Sequence, residues 1–210
     1  LMMVFSDVKY KMRGLGVFRI IYYLPNLIAA TSIAFLFRTL LDWRYGTFNQ
    51  ILNSVYQFFG VNKAPVDWLG NSGTAGSVIA VIGAWMWFGN SFIMLMAGVQ
   101  GINKDYFEAA AIDGANRWQQ FWHITLPQLR PTTFFVVIML TISGFKVYDQ
   151  MYMITQGGPG TATMTLVYYI YNVAFVNTPK YGYASAIAMV LFVLVLIVTI
   201  IQFRGSKGDN

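Results

Sequence analysis

YGYASAIAMVLFVLVLIVTIIQF, residues 181–203, carries no charge and no proline and is dense in aliphatic side chains. A helix rises about 1.5 Å per residue, so the stretch is long enough for the roughly 30 Å hydrocarbon core of a bilayer. Water would penalise such a surface and lipid does not. The rest of the 210 residues call for the same solvent. Hydrophobic residues make up 57% and charged ones 10%, with a mean hydropathy of +0.54; a soluble domain has about 25% charged residues. An aromatic content of 17% excludes a disordered chain. The absence of Cys removes disulfides, thiolate metal sites and Cys nucleophiles, and the single His123 leaves no histidine-based metal site. The net charge of +6 does not describe a nucleic-acid surface, because the basic residues are strung between long uncharged runs.

Three further stretches read as spans. Residues 20–37 are charge-free between Arg19 and Arg38, residues 68–103 carry no charge, and 132–154 is interrupted only by Lys146 and Asp149. The expectation is one all-α, polytopic domain over 1–210, with spans at about 18–41, 77–99, 132–154 and 183–203. The apolar run 164–176 is too short to cross and reads as an interfacial helix after the breaker Gly157-Gly158-Pro159-Gly160. Residues 1–5 (LMMVF) read as the end of a further span, with no signal-peptide layout. Basic residues give the orientation. Nine (Lys9, Lys11, Arg13, Arg19, Lys104, Arg117, Arg130, Arg204 and Lys207) fall on one side, and four (Arg38, Arg44, Lys63 and Lys180) on the other. The start, the 104–131 loop and the C-terminus are therefore expected in the cytoplasm.

That loop, KDYFEAAAIDGANRWQQFWHITLPQLRP, is too patterned for a linker. Asp105, with Glu108 three residues on, fits a capping-box-like start. Asp113-Gly114 supplies a turn, since glycine accepts positive φ without steric penalty. Trp118, Phe121, Trp122 and Thr125 then recur at helical spacing as one face. Pro127 is expected to interrupt this helix, and Pro131 suits the first turn of the next span. A hairpin carrying exposed tryptophans needs headgroups or a protein to bury against.

Glu108-Ala109-Ala110, Asp113-Gly114-Ala115, Phe121, Ile124, Leu126-Pro127 and Pro131 resemble, in order and spacing, the "EAA" loop of binding-protein-dependent ABC importer permeases. Tyr23-Leu24-Pro25, Gly46 with Asn49, Thr155-Gln156-Gly157-Gly158-Pro159 and Gly182-Tyr183-Ala184-Ser185-Ala186 resemble the carbohydrate-importer branch, specifically its maltose-type first permease subunit. The likeness covers nearly the whole chain. Members usually carry two more N-terminal spans, and often a proline where Asn103 stands here; a cap by Asn103 can replace it. The resemblance implies a type I importer permease bundle forming half of a sugar pathway in a bacterial or archaeal cell membrane. It implies a second permease subunit, two ATPase subunits that bind ATP and Mg, and an extracytoplasmic solute-binding protein. Glu108, Ala109, Ala110, Asp113, Gly114, Ala115, Leu126 and Pro127 would then couple to the ATPase.

The pathway candidates are Met86, Trp87 and Asn90 in the second span and Ser143, Lys146 and Asp149 in the third. Sugars bind by apolar stacking plus a few polar groups. The plainer reading of the aromatic residues is belt or packing, and that of Lys146 and Asp149, three apart on one helix face, is a mutual pair in a wet vestibule. No metal ligand set, no cofactor site, no catalytic constellation and no GxxxxGK[ST] phosphate loop is present in the sequence. An enzyme is thereby disfavoured, and His123 reads as an interface residue. An ion-driven transporter would need a carboxylate relay, for which Asp149 alone qualifies. A permease for a non-sugar solute stays open.

Overall fold

The computed structural model describes residues 15–176 and 178–207. Residues 1–5, expected to end a further span, lie outside them. Among the described residues the structure is helix and turn, with no strand. The elements are α1 (Leu15–Leu27), α2 (Ala30–Leu40), α3 (Thr47–Phe58), α4 (Ser72–Gln100), α5 (Lys104–Ile112), α6 (Arg117–Gln128), α7 (Arg130–Phe145), a π turn at Met151–Thr155, α8 (Leu166–Val176) and α9 (Tyr181–Lys207). Helices α4 and α9 are each long and apolar enough to cross a membrane, and there are up to four crossings if two bent pairs, α1 with α2 and α6 with α7, each count as one.

The first apolar stretch is therefore two helices. Pro25 lies inside α1; it has no N–H for the carbonyl one turn back and strains that turn. The helix ends at Leu27 and restarts at Ala30 behind an extended Ala29. The third stretch is also broken, since α7 ends at Phe145 and helical structure resumes only at Asp149.

The chain divides into two compact units. One holds the described residues up to Leu27, Met86–Thr141 and those from Arg204. In it Tyr22 packs on Phe88 and Phe92 of α4, ring centroids 5.7 and 5.5 Å away, beside buried Met96. Gly89 permits this approach: a Cβ there would collide with the Tyr22 carbonyl oxygen and lie 2.8 Å from Tyr23 Cα. Gly98 is similarly close to Leu129 and Thr132. Helices in lipid gain little from hiding apolar area, because lipid is itself apolar, so close backbone packing decides the contact.

The other unit holds Ile28–Trp85 and Ile142–Phe203. Here α2 packs on the π turn at Met151–Thr155, and Val173 and Ala174 of α8 bury against Ala184 of α9. The breaker after the π turn is a built corner. Gln156, Gly157 and Gly160 have φ of 53°, 82° and 60°, and the Gly158–Pro159 peptide is cis. Buried Thr163 donates to the Gly158 carbonyl at 2.6 Å and lies 2.7 Å from the Thr155 hydroxyl.

Candidate functional site

The loop of the EAA pattern is a preformed helical hairpin. Helix α5 starts at Asn103, whose side chain accepts from the Asp105 N–H at 3.1 Å. Asp105 is thus not the cap. It lies in the first turn, where its charge favours the helix dipole and where it accepts from the Asn103 amide at 3.0 Å. Glu108, one turn further, is exposed and free of a capping role.

Helix α5 ends in a Schellman motif. The Ala115 N–H reaches the Ala110 carbonyl at 2.9 Å and the Gly114 N–H reaches Ala111 at 3.2 Å, the paired bonds that define this termination. It requires a left-handed residue between, and Gly114 has φ +81°. This explains Asp113-Gly114-Ala115 as a backbone requirement. Helix α6 then opens with a capping box that sequence reasoning missed: Gln119 N–H to Asn116 Oδ1 at 2.9 Å, and Asn116 N–H to Gln119 Oε1 at 2.8 Å. The signal was present as Asn-x-x-Gln.

Pro127 does not interrupt α6, contrary to expectation. Residues Phe121–Thr125 form a π turn, with the Leu126 N–H on the Phe121 carbonyl five residues back. The wider turn passes Pro127 without needing its missing N–H, and helix continues to Gln128. The bend comes later: α6 and α7 meet at 61°. Pro131 does lie in the first turn of α7.

The hairpin leaves a shallow cleft of about 330 Å³ between its arms, lined by Ala110, Ala115, Gln120 and His123 among others. Trp118, Phe121 and Trp122 pack on each other with centroids 5.5–5.9 Å apart. Yet Trp118 remains 67% exposed and Ile112 of α5 87%. Ala109, Leu126 and Pro127 are also exposed. The result is a preformed, largely apolar, uncovered surface whose first arm carries two exposed carboxylates, Asp105 in its first turn and Glu108 one turn further on.

Of the pathway candidates, Met86, Trp87 and Asn90 belong to the first unit. Adjacent positions on a helix differ by about 100°, and Met86 is 8% exposed while Trp87 is 37%. Asn90 is half-buried. Met86 is thus packed inside the chain, and Trp87 alone of the two is open to its surroundings.

Ser143, Lys146 and Asp149 belong to the second unit. Ser143 is half-buried on α7, and Lys146 and Asp149 are exposed. The expected common helix face for Lys146 and Asp149 does not exist, because α7 ends at Phe145, before Lys146, and helix resumes only at Asp149. Thr165, at the start of α8, holds this break open: its hydroxyl donates to the Val147 carbonyl at 2.8 Å and accepts from the Tyr168 N–H. A bond across 18 residues leaves no periodic trace in sequence. Among the described residues no cluster of His, Asp or Glu could hold a metal.

Comparison with known proteins places this geometry. The chain is 36% identical over 197 residues to the trehalose/maltose transport system permease protein MalF of Thermococcus litoralis, covering 94% of this chain and 64% of that one. It is 30% identical over 199 residues to the lactose transport system permease protein LacF of Rhizobium radiobacter, covering 94% and 65%. The chain thus spans just under two thirds of the length of these relatives. A crystal structure of a bacterial ABC transporter involved in import of the acidic polysaccharide alginate has the same fold, with a TM-score of 0.83 at 23% identity over 98% of this chain and 70% of that one. The profile of the binding-protein-dependent transport system inner membrane components matches residues 4–204, and the chain belongs to that family of membrane transport proteins.

Proposed function

We propose that the chain forms half of the translocation pathway of an ATP-driven, binding-protein-dependent sugar importer, paired with a second permease subunit. Two ATPase subunits that bind ATP and Mg, and an extracytoplasmic solute-binding protein, complete the assembly. The names of the lactose and trehalose/maltose relatives support a sugar as cargo.

The observation that carries the reading is the hairpin of α5 and α6. Its turn is fixed by Gly114 and its arms by two side-chain caps, while Tyr106, Ile112, Trp118 and Trp122 stay exposed. A preorganised apolar surface binds without an ordering cost. We place it in the cytoplasm by the basic-residue count, docked in a cleft of an ATPase subunit with Glu108 facing a basic residue. ATP binding on the partner then biases inward- against outward-facing states through a rigid lever. This chain breaks no bond of substrate. It contributes a pathway, to which the first unit by itself would offer Trp87 and Asn90 on α4 and the second unit by itself Ser143, Lys146 and Asp149 around the α7 break.

Glu108→Lys tests this. Like charges at a partly desolvated contact cost several kcal/mol, about a hundredfold or more in affinity. The variant should insert and pair with its sister subunit, while ATPase subunits detach on purification. Stoichiometric ATPase with normal sugar uptake would remove the hairpin from the coupling role.

A further inference from the structure

Helix α3 has three faces. Asn49, Leu52, Asn53 and Tyr56 turn inward; Gln50, Ser54 and Gln57 form an outer polar strip; Phe48, Ile51, Val55 and Phe58 form an outer apolar strip. The four apolar residues are 46–85% exposed. We infer that α3 lies in the membrane interface, with its Phe48, Ile51, Val55 and Phe58 strip seated at the headgroup–acyl boundary of the bilayer.

Three observations name lipid as the occupant. The first is depth. Gly46 caps α3 directly against the end of α2: its N–H bonds the Asp42 carbonyl at 2.9 Å, and a Cβ on it would lie 2.5 Å from the Leu40 carbonyl oxygen. Helix α3 therefore begins where α2 ends, an apolar helix of 11 residues that is long enough to cross only as a pair with α1. This step rests on α2 being part of a span, and not on the cargo or on ATPase coupling.

The second observation is rigidity. Asn49, 4% exposed, donates to the carbonyls of Val66 and Trp43 and accepts from Val66 N–H and Trp68 Nε1–H, at 2.9–3.3 Å. One buried amide thus fixes the helix to both flanking segments, so the apolar strip cannot roll out of contact. The third is aromaticity. Arg44 and Lys63 lie within the segment, with Asp42 and Asp67 at its two ends, so it is balanced in charge. The Arg44 guanidinium lies 4.6 Å from the Trp43 ring, and Trp43 and Tyr45 are exposed. Tryptophan and tyrosine suit the headgroup level, and an uncharged amphipathic helix beside them suits the plane of the interface.

The test uses the full-length permease in its assembled complex, in nanodiscs of phosphatidylethanolamine and phosphatidylglycerol. Single cysteines replace Ile51, Val55, Gln50 or Ser54 in a cysteine-free background and carry a nitroxide. Collision with oxygen is compared with collision with a water-soluble nickel chelate. Labels at 51 and 55 should favour oxygen by several-fold relative to labels at 50 and 54. Water-like readings at all four sites would overturn the inference, as would labels at 51 and 55 shielded from both reagents, which is the signature of a protein partner. Transport by the labelled complex reports separately on the importer reading, so the two can fail independently.

Discussion

Gly114 occupies φ +81° with nothing within 4 Å of where a Cβ would sit. A substitution there meets open space, and its whole cost is backbone strain, about 1–3 kcal/mol for a β-branched residue. Gly114→Val should therefore loosen the hairpin and reduce co-purified ATPase, whereas Gly114→Asn, which tolerates the left-handed region, should retain most of it. Asp42 shows a different residue-scale effect. The backbone N–H groups of Tyr45 and Arg44 hold its carboxyl below the ordinary 3.8. A depressed carboxylate contributes above its unfolded-state pKa and loses that contribution only as pH falls through the folded value, so the turn keeps its full strength from pH 8 to pH 5. Amide exchange at Arg44 and Tyr45 should show constant protection over that window, and Asp42→Ala should abolish it at every pH. Lys146 is an exposed cation beside the helix break. If it lines the pathway, Lys146→Met should slow uptake of an anionic sugar several-fold more than of a neutral one; equal losses would assign it to structure alone.

At the scale of elements, contacts that carry no periodicity decide the outcome. Gly89→Leu drives a side chain into the Tyr22 carbonyl of α1, and overpacking in a well-packed contact costs about 1–3 kcal/mol or more. Its signature should be loss of the folded complex at normal expression, seen by gel filtration. Asn49→Leu should act on the α3 corner. It keeps the volume yet leaves the Trp68 Nε1–H and Val66 N–H without their acceptor, at about 1–3 kcal/mol each where water cannot reach. These elements also show what sequence conveys. The hairpin was legible because its turn and caps are local: Asp-Gly-Ala and the aromatic spacing lie within a few residues of what they determine. Asn103 rather than Asp105 is the cap because the helix already begins at Lys104, which leaves Asp105 inside the first turn. The breaks in the first and third apolar stretches escaped a length rule that counts uncharged residues. The first needed Pro25 to be weighed as a helix breaker. The second depends on Thr165 reaching back to Val147, a contact visible only once the chain is folded.

The whole chain is built for company. Only 6% of the most apolar window of α9 is buried within the chain, while the hairpin and α3 hold their apolar residues outward on rigid backbones. Lipid suffices for α9, since a helix surrounded by hydrocarbon loses nothing by being unpartnered. Trp118, Trp122 and Ile112 differ in standing on a hairpin preformed by two side-chain caps and the Gly114 turn, the surface proposed above to dock on an ATPase subunit. Stability of the assembled permease should therefore depend on ATPase concentration through those residues. A partner that binds only the folded state, at a hundred times its dissociation constant, adds about 2.7 kcal/mol. That gain raises the unfolding midpoint of the pair by a few degrees. The permease pair titrated with ATPase subunits in detergent should show a rise of that order. The rise should be mostly absent in Glu108→Lys and preserved in Val55→Ser, whose change lies on the strip assigned to lipid. A midpoint indifferent to ATPase concentration would mean that the exposed tryptophans are covered by something else, and the headgroup layer would then be the remaining occupant of the hairpin.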